Sequence, residues 1–233
     1  MNYSIKPIVA GSFGYVREDI MFEGGNPAVS HIVPSFIYHI SAPGHSYIVD
    51  TSFSSAEKCR RIMNLWCHRE SDLSGLLLAN GVIPDEVESV ILTHLHWDHA
   101  GNINLFPHAS VICQKQDLDF FMTDLSLNQE YRDELVEVAD RMTLIDGDFN
   151  ISSGIILNLV GGHTPGSQTI TVQTENGHII ISGDVAMHRI NVNKRLPVGL
   201  SVDAKKSRLA IEKIVQSGNA VLPSHDWMQN EMF

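Results

Sequence analysis

Short runs of β-branched and aliphatic residues recur along the chain, several of them closed by Gly, Pro or Asp, and predict strands. The runs are 5–10, 32–40, 46–50, 87–92, 110–113, 141–145, 155–160 and 220–222. Residues 168–174 and 178–182 add a hairpin, because Asn176-Gly177 between them is a strong tight-turn signal. Three stretches instead carry apolar residues at spacings of three and four, which predicts helix. In 55–80 these are Ile62, Leu65, Trp66, Leu73, Leu76, Leu77 and Ala79, with Gly81 a natural stop. In 116–140, an acidic stretch, they are Leu118, Phe120, Phe121, Met122, Leu125, Leu127, Leu135 and Val138, read as one broken helix or two short ones. The third is 203–217, with Asp203 as N-cap. Residues 11–31 hold several glycines among Phe13, Tyr15, Met21 and Phe22, which suggests a long loop, either on the surface or forming an apolar wall beside a site. Periodicity alone therefore predicts a mixed α/β chain, and with no linker or repeat we expect one domain over 1–233.

The strand at 87–92 runs into Thr93-His94-Leu95-His96-Trp97-Asp98-His99-Ala100-Gly101-Asn102. In an extended segment His94, His96 and Asp98 point to one side. His99 follows at once, so the chain must turn and send it elsewhere. Two groups of ligands from one segment suit two metals better than one. Imidazole with carboxylate suits Zn, Mn or Fe, and no Cys lies nearby to make a thiolate site.

This H-x-H-x-D-H stretch resembles the defining motif of the metallo-β-lactamase superfamily. Gly161-Gly162-His163-Thr164-Pro165-Gly166, Ile181-Ser182-Gly183-Asp184 and Pro223-Ser224-His225 resemble its later motifs, in the same order. The resemblance implies a four-layer αββα sandwich. It implies one metal on His94, His96 and His163, a second on Asp98, His99 and His225, and Asp184 bridging them. Zinc is the default for these two divalent ions, with Mn, Fe or Co acceptable to the same ligands. The implied chemistry is hydrolysis, with a metal-bridging hydroxide attacking a carbonyl and Asp98 passing a proton to the leaving oxygen. His96 stands where flavodiiron relatives carry a carboxylate, and Asp184 stands where secreted zinc β-lactamases carry Cys. The chain is also too short for the inserted domain of nuclease relatives.

Length, the start of the chain and motif spacing look most similar to the N-acyl homoserine lactonase branch, which implies a lactone or similar cyclic ester as the small-molecule substrate. Three positions depart from the pattern. Ser52 replaces the glycine of an Asp-Thr-Gly that supports the site, and Ser167 replaces a histidine after the second motif. Met187 replaces a tyrosine that donates to the substrate carbonyl. Methionine cannot donate a hydrogen bond, so another group is needed, and His188 is the sequence neighbour that suggests itself. The alternatives are a thioester or ester hydrolase of the glyoxalase II type and a metal-binding protein without turnover. Glyoxalase II relatives add a C-terminal helical domain, whereas this chain ends shortly after His225.

Composition narrows the partners. A formal charge of −11 disfavours sequence-independent binding to nucleic acid and charge-driven docking on an anionic membrane. The first residues carry no apolar leader and no run is long enough to cross a bilayer. Cys59, Cys67 and Cys113 are unpatterned, so the expectation is reduced thiols in a cytoplasmic protein, with a Cys59–Cys67 bridge as the alternative. His31, His39, His45, His68, His108 and His178 are expected in surface or packing roles. Relatives are often homodimers, which extends to this chain as an expectation.

Overall fold

The computed structural model of the protein describes residues 1–123 and 129–227. Its larger sheet is built from β1 (Ser4–Arg17), β2 (Ser30–Ala42), β3 (His45–Val49), β4 (Trp66–Arg69), β5 (Ser89–Ile91), β6 (Ser110–Gln114) and β7 (Met142–Ile145), in the order β4-β1-β2-β3-β5-β6-β7. The smaller holds β8 (Phe149–Ser152), β9 (Ile155–Leu159), β10 (Gln168–Thr174), β11 (Gly177–Ile181) and β12 (Ala220–Leu222), in the order β12-β11-β10-β9-β8. Strands β3, β5, β6 and β7 run parallel, as do β11 and β12, and the remaining pairs are antiparallel.

Alternation along the strands sorts side chains into layers. Tyr47, Val49, Ile91 and Ile112 face Ile155, Leu157, Ile170 and Ile181 of the other sheet and form the central core. Ile48, Val90, Leu92 and Val111 point the opposite way. There they meet Leu73 and Leu77 of α3 (Leu73–Ala79), Phe121 of α4 (Lys115–Thr123) and Leu135 of α5 (Gln129–Glu137). On the far side Ile180 of β11 packs on Ala210, Ile211 and Ile214 of α7 (Ala204–Gln216). Helices, sheet, sheet and helix are the four-layer αββα sandwich expected. Each such buried side chain contributes roughly 1.5–3 kcal/mol.

Two stretches differ from the pattern reading. Residues 11–17 continue β1 instead of starting a loop, and the chain then forms the short α1 (Glu18–Met21). Gly11 is there for proximity: a Cβ on it would lie 2.7 Å from the His68 carbonyl oxygen and 2.8 Å from the Phe53 ring. The helical pattern in 55–80 is divided into α2 (Ala56–Met63), β4 and α3. Asn64 adopts a left-handed conformation, φ 53°, that ends α2, and Trp66–Arg69 pairs with the edge of β1. Pairing with a neighbouring strand overrides a local helical period. The 116–140 stretch is two helices, as one of its readings had it; Leu125 and Leu127 lie outside the described residues.

The free-thiol expectation is corrected at one pair. Cys59 on α2 and Cys67 on β4 form a disulfide, both fully buried, because the turn at Asn64 folds the strand back on the helix. The reduced-thiol argument for a cytoplasmic location is thereby removed. Cys113 is free and buried, and burial pushes its thiol up to about 12.

Candidate metal centre

The four segments that carry the candidate ligands all leave their strands at the same end of the sandwich. The first motif follows β5, His163 follows β9, Asp184 follows β11 and His225 follows β12. Their donor atoms form two clusters, His94, His96, His163 and Asp184 in one, Asp98, His99 and His225 in the other. All are buried except His96, which is partly exposed.

In the first cluster His94 Nε2 and His163 Nε2 each lie 2.8 Å from His96 Nδ1. In the second, His225 Nε2 and His99 Nε2 lie 3.5 and 3.7 Å from Asp98 Oδ2. Asp184 stands between them. Its Oδ2 is 3.3 Å from His163 Nε2, and its Oδ1 is 3.2 and 3.3 Å from His225 and His99 Nε2. Ser224 Oγ donates to Oδ1 at 2.5 Å and holds the carboxylate in that orientation.

The opposite edge of each ring determines which nitrogen faces inward. His163 Nδ1–H donates to the Leu200 carbonyl at 2.7 Å, and His225 Nδ1–H to that of Pro34 at 2.8 Å. His99 Nδ1–H donates to Asp50 Oδ2 at 2.8 Å. The Thr93 hydroxyl already donates to Asp50, so toward His94 Nδ1, 3.1 Å away, it accepts. Asp50 also accepts from Thr93 N–H at 2.8 Å, which ties β3 to the start of the motif. Ser52 has a left-handed φ of 57°, the conformation that favours glycine; its hydroxyl bonds Ser35, which donates to the Asp98 carbonyl.

These donors fit two cations. His96 Nδ1–H can serve only one of the two lone pairs turned on it, so three ring nitrogens meet where hydrogen bonding satisfies at most one contact. His99 Nε2 is buried with no hydrogen-bond partner among the described residues, although two carboxylates are near. Burial, helped by neighbouring imidazoles, holds His94 and His96 well below the usual range and so uncharged. Burial also opposes charge on His99, but Asp98, Asp184 and Asp50 outweigh it and raise it well above its ordinary value. His225 rises likewise against burial, through Asp184 and Asp98. Burial chiefly raises Asp98, whereas His225, His99 and His163 hold Asp184 well below the carboxylate range despite burial.

One support carried no sequence signal. Asp117 on α4 is buried, and its Oδ2 and Oδ1 accept from Leu95 N–H at 2.8 Å and Gly166 N–H at 2.9 Å. It therefore clamps the first and second motif loops together. Gly162, at φ 104°, lets its loop touch α7, since a Cβ there would lie 2.5 Å from Ser207 N.

The clusters floor a cavity of about 580 Å3 with mostly apolar walls. Phe13, Val16, Ile20 and Met21 line one side, so the 11–31 stretch is the apolar wall of its second reading. Phe121 and Tyr131 come from the 116–140 stretch, while Leu118, Leu135 and Val138 pack into the core. Met187 lines the cavity but His188 does not. His188 Nδ1 caps α6 (Arg189–Lys194) by accepting from Ile190 N–H at 3.2 Å, and its Nε2 faces Asp226 at 3.5 Å. His188→Ala is expected to lower stability by about 1 kcal/mol through loss of this cap, read as a shift in the urea midpoint. An unchanged midpoint would contradict the cap, and a large fall in kcat on fully loaded protein would return His188 to the reacting end.

Residues 32–225 match the metallo-beta-lactamase superfamily. The chain belongs to that superfamily. Within it, the N-acyl homoserine lactonase AiiA of Bacillus thuringiensis subsp. kurstaki is 27% identical over 129 residues, 55% of this chain and 50% of that protein. Metallo-beta-lactamase domain-containing protein 1 of Xenopus laevis is 27% identical over 146 residues, 62% of this chain and 56% of that protein. The chain therefore spans about half the length of the curated relatives it matches. In three dimensions the likeness is fuller. A mutant of B. thuringiensis AiiA, solved with N-decanoyl-L-homoserine at its active site, superposes with a TM-score of 0.85 at 20% identity, covering 100% of this chain and 97% of that one. A probable metal-dependent hydrolase from Staphylococcus aureus gives 0.84 at 20% identity, covering 97% and 90%. At such identities the superfamily fold is what is shared.

Proposed function

We propose that the protein is a metal-dependent hydrolase of ester bonds that opens a lactone, an N-acyl homoserine lactone or a similar cyclic ester, at a dinuclear centre. The observation that carries this is the position of Asp184: each of its oxygens faces a different ligand cluster at the floor of a cavity. His94, His96 and His163 would hold one divalent ion, Asp98, His99 and His225 the other, and Asp184 both. When bound, such ions, zinc by default, polarise a carbonyl and make hydroxide available near neutral pH.

The chain's own residues then place and protonate the substrate. The apolar wall takes the hydrocarbon part and excludes water from it. Asp98 lines the cavity beside the clusters. It takes the proton lost by the attacking water and returns it to the ester oxygen that leaves as the C–O bond breaks. The lactonase likeness of the relatives supports the lactone as substrate, and the mostly apolar cavity supports one carrying an acyl chain. Among the described residues no helix is long and apolar enough to cross a membrane.

The test is hydrolysis of a short- and a long-chain N-acyl homoserine lactone, with metal content measured on the same sample. Ring opening with about two metals per chain, lost on chelation and restored by Zn, is the expected result. Two metals without ring opening would overturn the lactone assignment and move the search to open-chain esters and thioesters. No hydrolysis of any ester would leave a metal-binding protein.

A further inference from the structure

We infer that Tyr131 determines specificity in the cavity, its phenolic hydroxyl donating a hydrogen bond to a neutral carbonyl oxygen, such as that of an amide, which the substrate carries beside the bond being cut. This rests on the ester-hydrolase reading above. Apart from the proposed ligands, few side chains lining the cavity can donate: Tyr15, Trp97, Tyr131 and Arg132. Tyr15 is 65% exposed at the mouth. Arg132 is engaged with Gln129 Oε1 at 2.7 Å through Nη2. Trp97 packs its ring into the wall, with ring centroids 5.0 Å from Phe13 and 5.6 Å from Phe53. Tyr131 is half-buried, and its hydroxyl makes no hydrogen bond among the described residues.

The phenol is also held in place before any ligand arrives. Lys58 Nζ lies 4.5 Å from the centroid of its ring. The ammonium is itself fixed by Glu134 at 2.7 Å and the Glu130 carbonyl at 3.1 Å. Against the ring stands Trp97, 6.4 Å between centroids, the residue that separates His96 from Asp98 in the first motif. The hydroxyl is therefore presented beside the ligand clusters at little entropic cost. Met187 on the same cavity cannot donate, and His188 is turned to Asp226. The class of acceptor follows from charge. Glu134 and Glu130 lie beside the phenol and the chain carries −11, which disfavours a carboxylate there and favours a neutral carbonyl.

The experiment compares metal-loaded wild type and Tyr131→Phe on two matched pairs: an N-acyl homoserine lactone with an amide-free alkyl lactone, and an N-acylglycine ethyl ester with an alkanoate ethyl ester. Melting temperature and metal content are measured on both proteins. The expected result is that Tyr131→Phe lowers the ratio of kcat/KM, amide-bearing over amide-free, by about five- to tenfold, the value of one neutral hydrogen bond. An unchanged ratio, including an equal loss on both members of a pair, overturns the proposal and leaves the lactone reading standing. The same fall in ratio on the open-chain pair, with neither lactone opened, keeps Tyr131 and overturns the lactone. Hydrolysis of none of the four overturns both.

Discussion

Asp184→Asn is expected to leave the protein folded and reduce turnover on the order of a thousandfold or more, with bound metal falling below two per chain. The carboxylate offers one oxygen to each cluster, 3.3 Å from His163 on one side and 3.2 Å from His225 on the other. An asparagine keeps the shape and the Ser224 contact through its one oxygen, but turns an NH2 group, which has no lone pair to give, on the other cluster. Losing the shared anion costs transition-state stabilisation of about 4 kcal/mol, and each 1.36 kcal/mol is roughly tenfold in rate. Metal per chain and kcat/KM, taken on the same preparation, check it. Wild-type turnover with two metals bound would show that Asp184 does not bridge.

Asp117→Ala is expected to be the more damaging change to stability, although Asp117 belongs to neither ligand cluster. Removing its carboxylate leaves the buried N–H groups of Leu95 and Gly166 without acceptors. Each such loss costs about 1–3 kcal/mol, so about 2–6 kcal/mol in all, and urea unfolding of metal-free protein reads it directly. Asp117→Asn, which retains one acceptor oxygen, should lose less. Because the two amides belong to the loops carrying His94, His96 and His163, metal affinity should fall as well. Unchanged unfolding for Asp117→Ala would mean that the loops hold themselves without the clamp.

The candidate ligands were legible because their signature is local. His94, His96, Asp98 and His99 lie within one loop, and the glycines and proline around His163 are needed by that loop's own backbone. Strands written as short continuous apolar runs, such as β3, β6 and β11, were readable for the same reason. Errors arose where a distant partner decides local structure. Residues 11–17 extend because β2 and β4 flank them, and Trp66–Arg69 is a strand because β1 offers an edge. Cys59 and Cys67 gave no spacing signal, since their meeting depends on the strand folding back on the helix. His188, singled out for its place next to Met187 in the chain, is a different case: it caps α6 with its ring toward Asp226, and the variant described above tests its role.

By itself the sequence determined the superfamily, the seven side chains suited to two cations and the acidic character of the molecule. Each of these depends on residue type and short-range spacing. Only the tertiary structure decided that Asp117 joins two motif loops and that a phenol from α5 lies against Trp97. Those relations join residues far apart in the chain, as with Asp117 and Gly166, 49 positions apart. Sequence spacing does not encode such distances; the pairing of strands and the packing of helices on the sheets set them.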